Sequence, residues 1–200
     1  RALAPIALDM PGDDSGENVS LSNPTYCELT AQYWAWKNTV NDAVGLAHYR
    51  RYFAGAGERG IATGDEIASW LSEADIIIGK PRRYYVETIR SHYSRAHHGS
   101  DLDATRAAVE KLSPDYLTAF DTVMNQRHLS LFNMFIMRRD VFDDYSAWLF
   151  PILAECERRI DLSSYGPQQA RVFGYLGERL LNDWVEKNSP PLRVLKRRIV

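Results

Sequence analysis

Apolar positions along this 200-residue chain fall into two rhythms. At three- and four-residue spacing, Tyr26, Leu29, Tyr33 and Trp36 in "PTYCELTAQYWAWKN" predict one helix, with Asn23 as its N-cap and Pro24 at its first position. Thr63 and Glu66 make a capping-box pattern that opens a helix carrying Ile67, Trp70 and Leu71. Helices are also predicted over about 101–112 and 114–123, the second capped by Ser113, and over 140–159, where Pro151 should introduce a kink. Val172, Leu176, Leu180 and Trp184 mark a last helix over about 168–187.

The second rhythm is the short unbroken apolar run. "DIIIG", residues 75–79, predicts a buried strand closed by glycine, and "LSLFNMFIM", residues 129–137, predicts another. Residues 44–48 form a shorter strand candidate, and "LRVLKRRIV" at the end reads as an edge strand or a basic tail. "PGDDSGENVSLSN" is a loop by composition. Strands alternating with helices predict an α/β fold, a sheet flanked by helices. No internal repeat or low-complexity tract interrupts it.

Composition narrows this picture modestly. With 45% hydrophobic and 25% charged residues, the chain suits a single domain over 1–200 with a sizeable core. It starts at Arg1, which leads us to expect a fragment of a longer chain with an N-terminal strand missing. A net charge of −2 gives no general attraction to nucleic acid, so anion binding must be local. Cys27 and Cys156 match no metal spacing and read as reduced thiols of a cytoplasmic protein. No apolar run approaches the roughly 20 residues needed to span a bilayer.

Candidate chemistry sits where strands end, because ligands of open α/β sheets collect at the carboxyl ends of the strands. The first candidate strand ends in "HYRRYF", with His48, Tyr49, Arg50 and Arg51. The second leads into Lys80, Arg82, Arg83, Tyr84 and Tyr85, then His92, His97 and His98. The third contains Asn133 in an otherwise apolar run. If these segments converge, the site is cationic and aromatic, suited to phosphates joined to a flat base or a sugar. Blander readings stand beside this one. Paired arginines after a strand are often a solvated loop, and Asn133 could bond a neighbouring loop. The histidines lack Cys or Glu at ligand spacing, and the five tryptophans sit in helical patterns that suit a core. No phosphate-binding loop ending in Gly-Lys-Ser/Thr is present.

The blocks "GDDSGENVS", "YCELTAQYWAWKN", "GLAHYRRYF", "DIIIGKPRRYY", "SHYSRAHH", "LFNMFIMRRDVFDDYSAWLF" and "GERLLNDW" occur in this order over about residues 12–184. Together they resemble a bacterial domain family of capsule, exopolysaccharide and O-antigen clusters. Its members are regarded as glycosyltransferases of the nucleotide-sugar-binding type A-like α/β fold, some as galactofuranosyltransferases. The resemblance implies a hexosyltransferase working with inversion on a UDP-sugar donor and a polysaccharide or lipid-linked glycan acceptor. It also implies a cytoplasmic place, peripheral at the inner membrane face, beside other polysaccharide-assembly proteins. Family members usually open with a strand and a His-Lys segment that nothing here matches.

The resemblance also implies roles. "HYRRYF" stands roughly where related transferases carry a metal-binding Asp-x-Asp pair, and arginines can neutralise a diphosphate directly. A manganese or magnesium ion held by His48 with Asp9, Asp13, Asp14 or Asp75 stays open. His48, Tyr49, Arg50, Arg51, Lys80, Arg83, Tyr84 and Tyr85 become candidates for the donor, and His92, His97, Asn133 and Arg179 for the acceptor. Glu178, at an expected helix start after Gly174 and Gly177, is the candidate base, with Asp75, Asp140 and Asp183 behind it. Two rival readings are a non-catalytic glycan- or nucleotide-binding module and a metal-dependent phosphohydrolase.

Overall fold

A computed structural model describes residues 11–200. In chain order its elements are α1 (Asn23–Tyr26), α2 (Leu29–Asn38), β1 (Ala43–Leu46), α3 (Gly64–Glu73), β2 (Ile76–Gly79), β3 (Arg82–Arg83), α4 (Ile89–Ala96), α5 (Gly99–Leu112), α6 (Leu117–Asn125), β4 (His128–Leu129), β5 (Phe135–Arg138), α7 (Arg139–Arg159), α8 (Val172–Asn188) and β6 (Val194–Arg197). The expected N-terminal strand and Asp9 lie outside the described residues.

The predicted α/β architecture is what forms. Among the described residues, four strands make one mixed sheet in the order β1-β5-β2-β6, and β3 and β4 make a separate ribbon. β5 runs antiparallel to both neighbours, while β2 and β6 are parallel. β2 is buried along its whole length, which is why "III" lacks alternation. Ile76 and Ile78 join Phe135 and Met137 in the main core under the helices, while Ile77 and Ile136 pack with Phe53 and Trp70 on the other face. Thr63 and Glu66 form the predicted capping box of α3, and "LRVLKRRIV" supplies β6 as an edge strand. No helix among the described residues is long and apolar enough to cross a membrane.

Two predicted elements are broken, both at the same place in space. The helix expected over 24–38 stops at Tyr26 and restarts at Leu29, because Cys27 adopts φ 54 and ψ −130. Its cap is Ser22, and the Asn23 amide turns inward to donate to the Cys27 carbonyl at 2.9 Å. The strand expected over 129–137 divides into β4 and β5 around a turn in which Phe132 and Asn133 have φ 73 and 51. That backbone region disfavours ordinary side chains, bulky ones most. A third difference concerns α8, which starts at Val172 and runs through Gly174 and Gly177. Likewise α7 continues through Pro151 to Arg159.

Pairing of Leu46 and Ile78 with Phe135 puts the carboxyl ends of β1 and β2 and the amino end of β5 at one edge of the sheet. The broken elements face that edge.

Candidate active site

At this edge lies a cavity of about 210 Å³ lined by Cys27, Glu28, His48, Arg51, Phe132, Arg171, Gly174, Tyr175 and Glu178. It opens into a cleft of about 560 Å³ that shares Cys27, Glu28, His48 and Arg171 and adds Asn23, Tyr49 and Pro167. Four separate parts of the chain therefore meet here: the α1–α2 break, the turn after β1, the turn before β5, and the start of α8. A second hollow of about 180 Å³ is lined by Phe53, Ile61, Ile67 and Ile136 among others, and carries no charged group for a phosphate.

The floor is held by short-range polar contacts. Glu178 Oε1 accepts the Phe132 backbone N–H at 2.9 Å, and its Oε2 accepts from Arg179 Nη1 at 2.8 Å. Asn133 Nδ2 donates to Glu28 Oε1 at 2.8 Å and to the Gly174 carbonyl at 3.0 Å. A side chain at Gly177 would meet Leu29 Cδ1 at 2.8 Å and Asn133 Oδ1 at 3.1 Å, and one at Gly174 would meet Cys27 Sγ at 3.0 Å. The two glycines thus let α8 press against the Phe132–Asn133 turn and the α1–α2 break, at a helix-propensity cost of about 1 kcal/mol each.

Charge is unevenly spread across the rim. Arg51 sits over the Phe132 ring, 4.1 Å from its centroid, with Nη1 3.5 Å from His48 Nδ1. Arg171 Nε donates to Cys27 Sγ at 3.1 Å. Burial, and then the Arg51 charge, push the His48 pKa down, and its Nδ1 accepts the Arg50 backbone N–H at 3.3 Å. The imidazole therefore stays neutral at neutral pH. Burial pushes the Glu178 carboxyl above its ordinary range, against the opposing pull of Arg179 and the Phe132 N–H. The cavity accordingly joins two carboxylates to two guanidinium groups, one neutral histidine and two aromatic rings.

The residues singled out in the sequence divide into three groups. His48, Arg51 and Glu178 line the cavity, Asn133 supports its floor, and Tyr49 lines the outer cleft. Arg50, Lys80, Arg83 and Tyr85 are exposed and line neither space; Arg50 lies over the Tyr49 ring instead. The remainder form a layer behind Glu178. Arg179, expected as an acceptor contact, is 4% exposed and covers the Tyr93 ring, 5.0 Å from its centroid. Tyr84 is buried against His92, and His97 lies between Tyr93 and Tyr175. Burial lowers the pKa of both histidines, and Arg179 adds to it.

Glu178 is also not at a helix start. It lies in the second turn of α8 and satisfies an N–H of the neighbouring turn rather than of its own helix. The reserve carboxylates are elsewhere. Asp75 and Asp140 are tied to Arg138 at the far edge of the sheet, Asp75 also to Arg193, and Asp183 is fully buried. Of the carboxylates considered beside His48 for a metal, Asp9 lies outside the described residues. Asp75 is at the wrong end of β2, Asp13 is engaged with Thr30, and among the described residues no three His, Cys, Asp or Glu side chains gather as they would around an ion.

Cys27, Glu28, Phe132, Arg171 and Tyr175 escaped the sequence reading. Glu28 and Cys27 sit in what looks like an unbroken amphipathic helix, and only the left-handed backbone at Cys27 turns them into the cavity. The one available signal was the pair of glycines in α8, which demanded a close neighbour.

A family profile described as "Domain of unknown function (DUF4422)" matches residues 2–189. A solved structure described as WbbM, a bifunctional glycosyltransferase in its apo form, superposes with a TM-score of 0.85 at 35% sequence identity. The match covers 94% of this chain and 38% of that one, so the chain spans well under half of that relative's length. A search of curated proteins finds no match.

Proposed function

The chain belongs to the DUF4422 family, and on that premise we propose that it is a glycosyltransferase domain. It moves a sugar, galactofuranose in the first instance, from a uridine diphosphate donor to a hydroxyl of a growing bacterial surface polysaccharide. The likeness to a bifunctional glycosyltransferase at 35% identity supports the reaction class. The observation that carries the reading is the cavity itself, where Glu178 faces Arg51, Arg171 and His48.

Glycosyl transfer by direct displacement has two needs: a base for the acceptor hydroxyl proton and positive charge for the leaving diphosphate. In this reading Arg51 and Arg171 hold the diphosphate oxygens. The neutral His48 donates through Nε2, because its Nδ1 is already an acceptor. Glu178 takes the proton. Its burial raises its basicity toward neutral pH, and each of its oxygens keeps a lone pair beyond the bonds it already accepts. Tyr49 and Tyr175 offer rings to the sugar or base. The inverting course follows if no covalent glycosyl-enzyme forms, and among the described residues Glu28 is the only other carboxylate lining the cavity.

The experiment is a thermal-shift and donor-hydrolysis panel of UDP, GDP, CDP and UDP-hexoses, UDP-galactofuranose included. Stabilisation by UDP compounds, with slow release of sugar to water, is the expected result. Stabilisation by glycans alone, with every nucleotide inert, would make the domain a binding module instead.

A further inference from the structure

The cations of this chain sort by place. Arg90, Arg106 and Arg159 on the helical layer each have a carboxylate within 4.0 Å. Lys80, Arg82, Arg83, Arg127 and Arg198 have none among the described residues, and the nearest acid on their segment, Glu87, is taken by Arg95. All five follow the carboxyl end of β2 or β6 or belong to the β3–β4 ribbon, where Arg82 pairs with Leu129 and Arg83 with His128. A chain with net charge −2 thus keeps a ridge of cations without acidic partners among the described residues at one edge.

Exposed apolar side chains gather on the same ribbon. Tyr85 and Val86 are adjacent at 88% and 84% exposure, separated from Arg82 and Arg83 by Tyr84 alone. Tyr84 beside them is buried, and its backbone N–H is bonded to the Arg127 carbonyl, so the turn is fixed while its tip projects. An exposed ring and an aliphatic side chain amid unpaired arginines are the composition of a membrane-interface contact. Tyrosine settles at the headgroup level and arginine meets lipid phosphate.

We propose that the β3–β4 ribbon, with Tyr85 and Val86 at its tip and Arg82, Arg83 and Arg127 around it, docks this domain on an anionic lipid bilayer. The ribbon is also joined to the cavity. Ser130, one residue beyond β4, bonds the Gly79 carbonyl and Asn182 of α8. Phe132, two residues later, lines the cavity and lies at most about 14 Å of chain from His128. Docking here holds the mouth of the site close to the bilayer surface, where a lipid-borne acceptor would present its glycan.

The test is co-sedimentation of the whole chain with vesicles of phosphatidylcholine alone or mixed equally with phosphatidylglycerol. The expected result is binding to the anionic vesicles only, suppressed in about 0.5 M salt, where screening shortens to a few ångströms. The triple variant Arg82→Ser/Arg83→Ser/Arg127→Ser should lose on the order of a hundredfold in partitioning, each cation giving about fivefold. Tyr85→Ser/Val86→Ser should lose several-fold. If the triple variant does not fold by circular dichroism, Arg83→Ser and Arg127→Ser singly should each show the fivefold loss. Equal binding to neutral vesicles, no binding, or unchanged partitioning in these variants overturns the proposal. So does release by millimolar inorganic diphosphate at constant ionic strength, which would assign the ridge to a soluble anion. No outcome depends on transferase activity, so the proposed reaction and the docking surface can fail separately.

Discussion

The backbone N–H of Phe132 donates to Glu178 Oε1 at 2.9 Å, joining a left-handed turn before β5 to the second turn of α8. The contact has two consequences. It satisfies a backbone donor in a turn that has no ladder partner, and it fixes the carboxylate whose basicity the proposed reaction needs. Structure and chemistry meet in one side chain, so a substitution there must be chosen to separate them.

Glu178→Gln achieves that separation. The amide oxygen of glutamine still accepts the Phe132 N–H, so the turn should hold, while its NH2 group now faces Arg179 Nη1 and the lost ion pair lowers the melting temperature without unfolding the chain. A base, however, would be gone. We expect turnover to fall by about 10²–10⁴ with donor affinity unchanged. Steady-state kinetics beside calorimetric titration of UDP measures both. Near-normal turnover would leave Glu178 as a structural acceptor and shift the role to Glu28, which also lines the cavity.

The paired arginines of "HYRRYF" should behave differently from each other. Arg51 reaches the cavity over Phe132, whereas Arg50 is exposed over Tyr49. Arg51→Ala is expected to weaken UDP binding by about 1.5–3 kcal/mol, the worth of a hydrogen bond to a charged group. Arg50→Ala should change it by less than about 0.5 kcal/mol, as surface substitutions do. Equal losses in the two variants would mean that the turn rearranges around the donor.

This contrast shows how far the sequence could be read. "DIIIG", the Thr63–Glu66 capping box and the stripe of α8 were legible because local pattern and tertiary burial agree there. Half the cavity was not legible. Cys27 and Phe132 adopt left-handed backbone that nothing in their residue types requests, and packing against α8 imposes it; only Asn133 is of a type that tolerates that region. Glu28 was hidden by the first of these breaks. Arg179 misled because an arginine beside the best carboxylate looks functional until its burial over Tyr93 is seen. Asp75, by contrast, directly precedes β2, so its place at the amino end, away from the site, was already legible.

Asn133 is expected to matter for stability through both its backbone and its amide. At φ 51 an alanine costs about 1–2 kcal/mol, and the lost bonds to Glu28 and Gly174 add about 1 kcal/mol each. Asn133→Ala should therefore lose about 3–4 kcal/mol in urea unfolding. Asn133→Gly should recover part of this, since glycine adopts the conformation freely. If glycine is no better than alanine, backbone conformation is not what the position requires.

Asp183 offers a pH-dependent prediction away from the site. It is fully buried in α8, neither carboxylate oxygen has a hydrogen-bond partner among the described residues, and burial raises its pKa from 3.8 to about 8, with Asp121 and Glu186 adding to the rise. Tyr145 is within its electrostatic reach, and Asp121 is itself paired with Arg106. Below about pH 3.8 folded and unfolded chains both hold the proton, and the carboxyl costs least. Between 3.8 and about 8 only the folded chain holds it, so unfolding releases a proton and stability falls as pH rises. Above about 8 that loss is complete. Asp183→Asn cannot ionise, so its stability relative to the parent should improve from pH 5 to pH 8 by about 2–4 kcal/mol, whatever the amide itself costs. Urea unfolding of both proteins at the two pH values gives the difference directly, because every other titrating group is common to the pair. A difference that stays flat across this range would mean that the buried carboxylate is solvated or paired in solution.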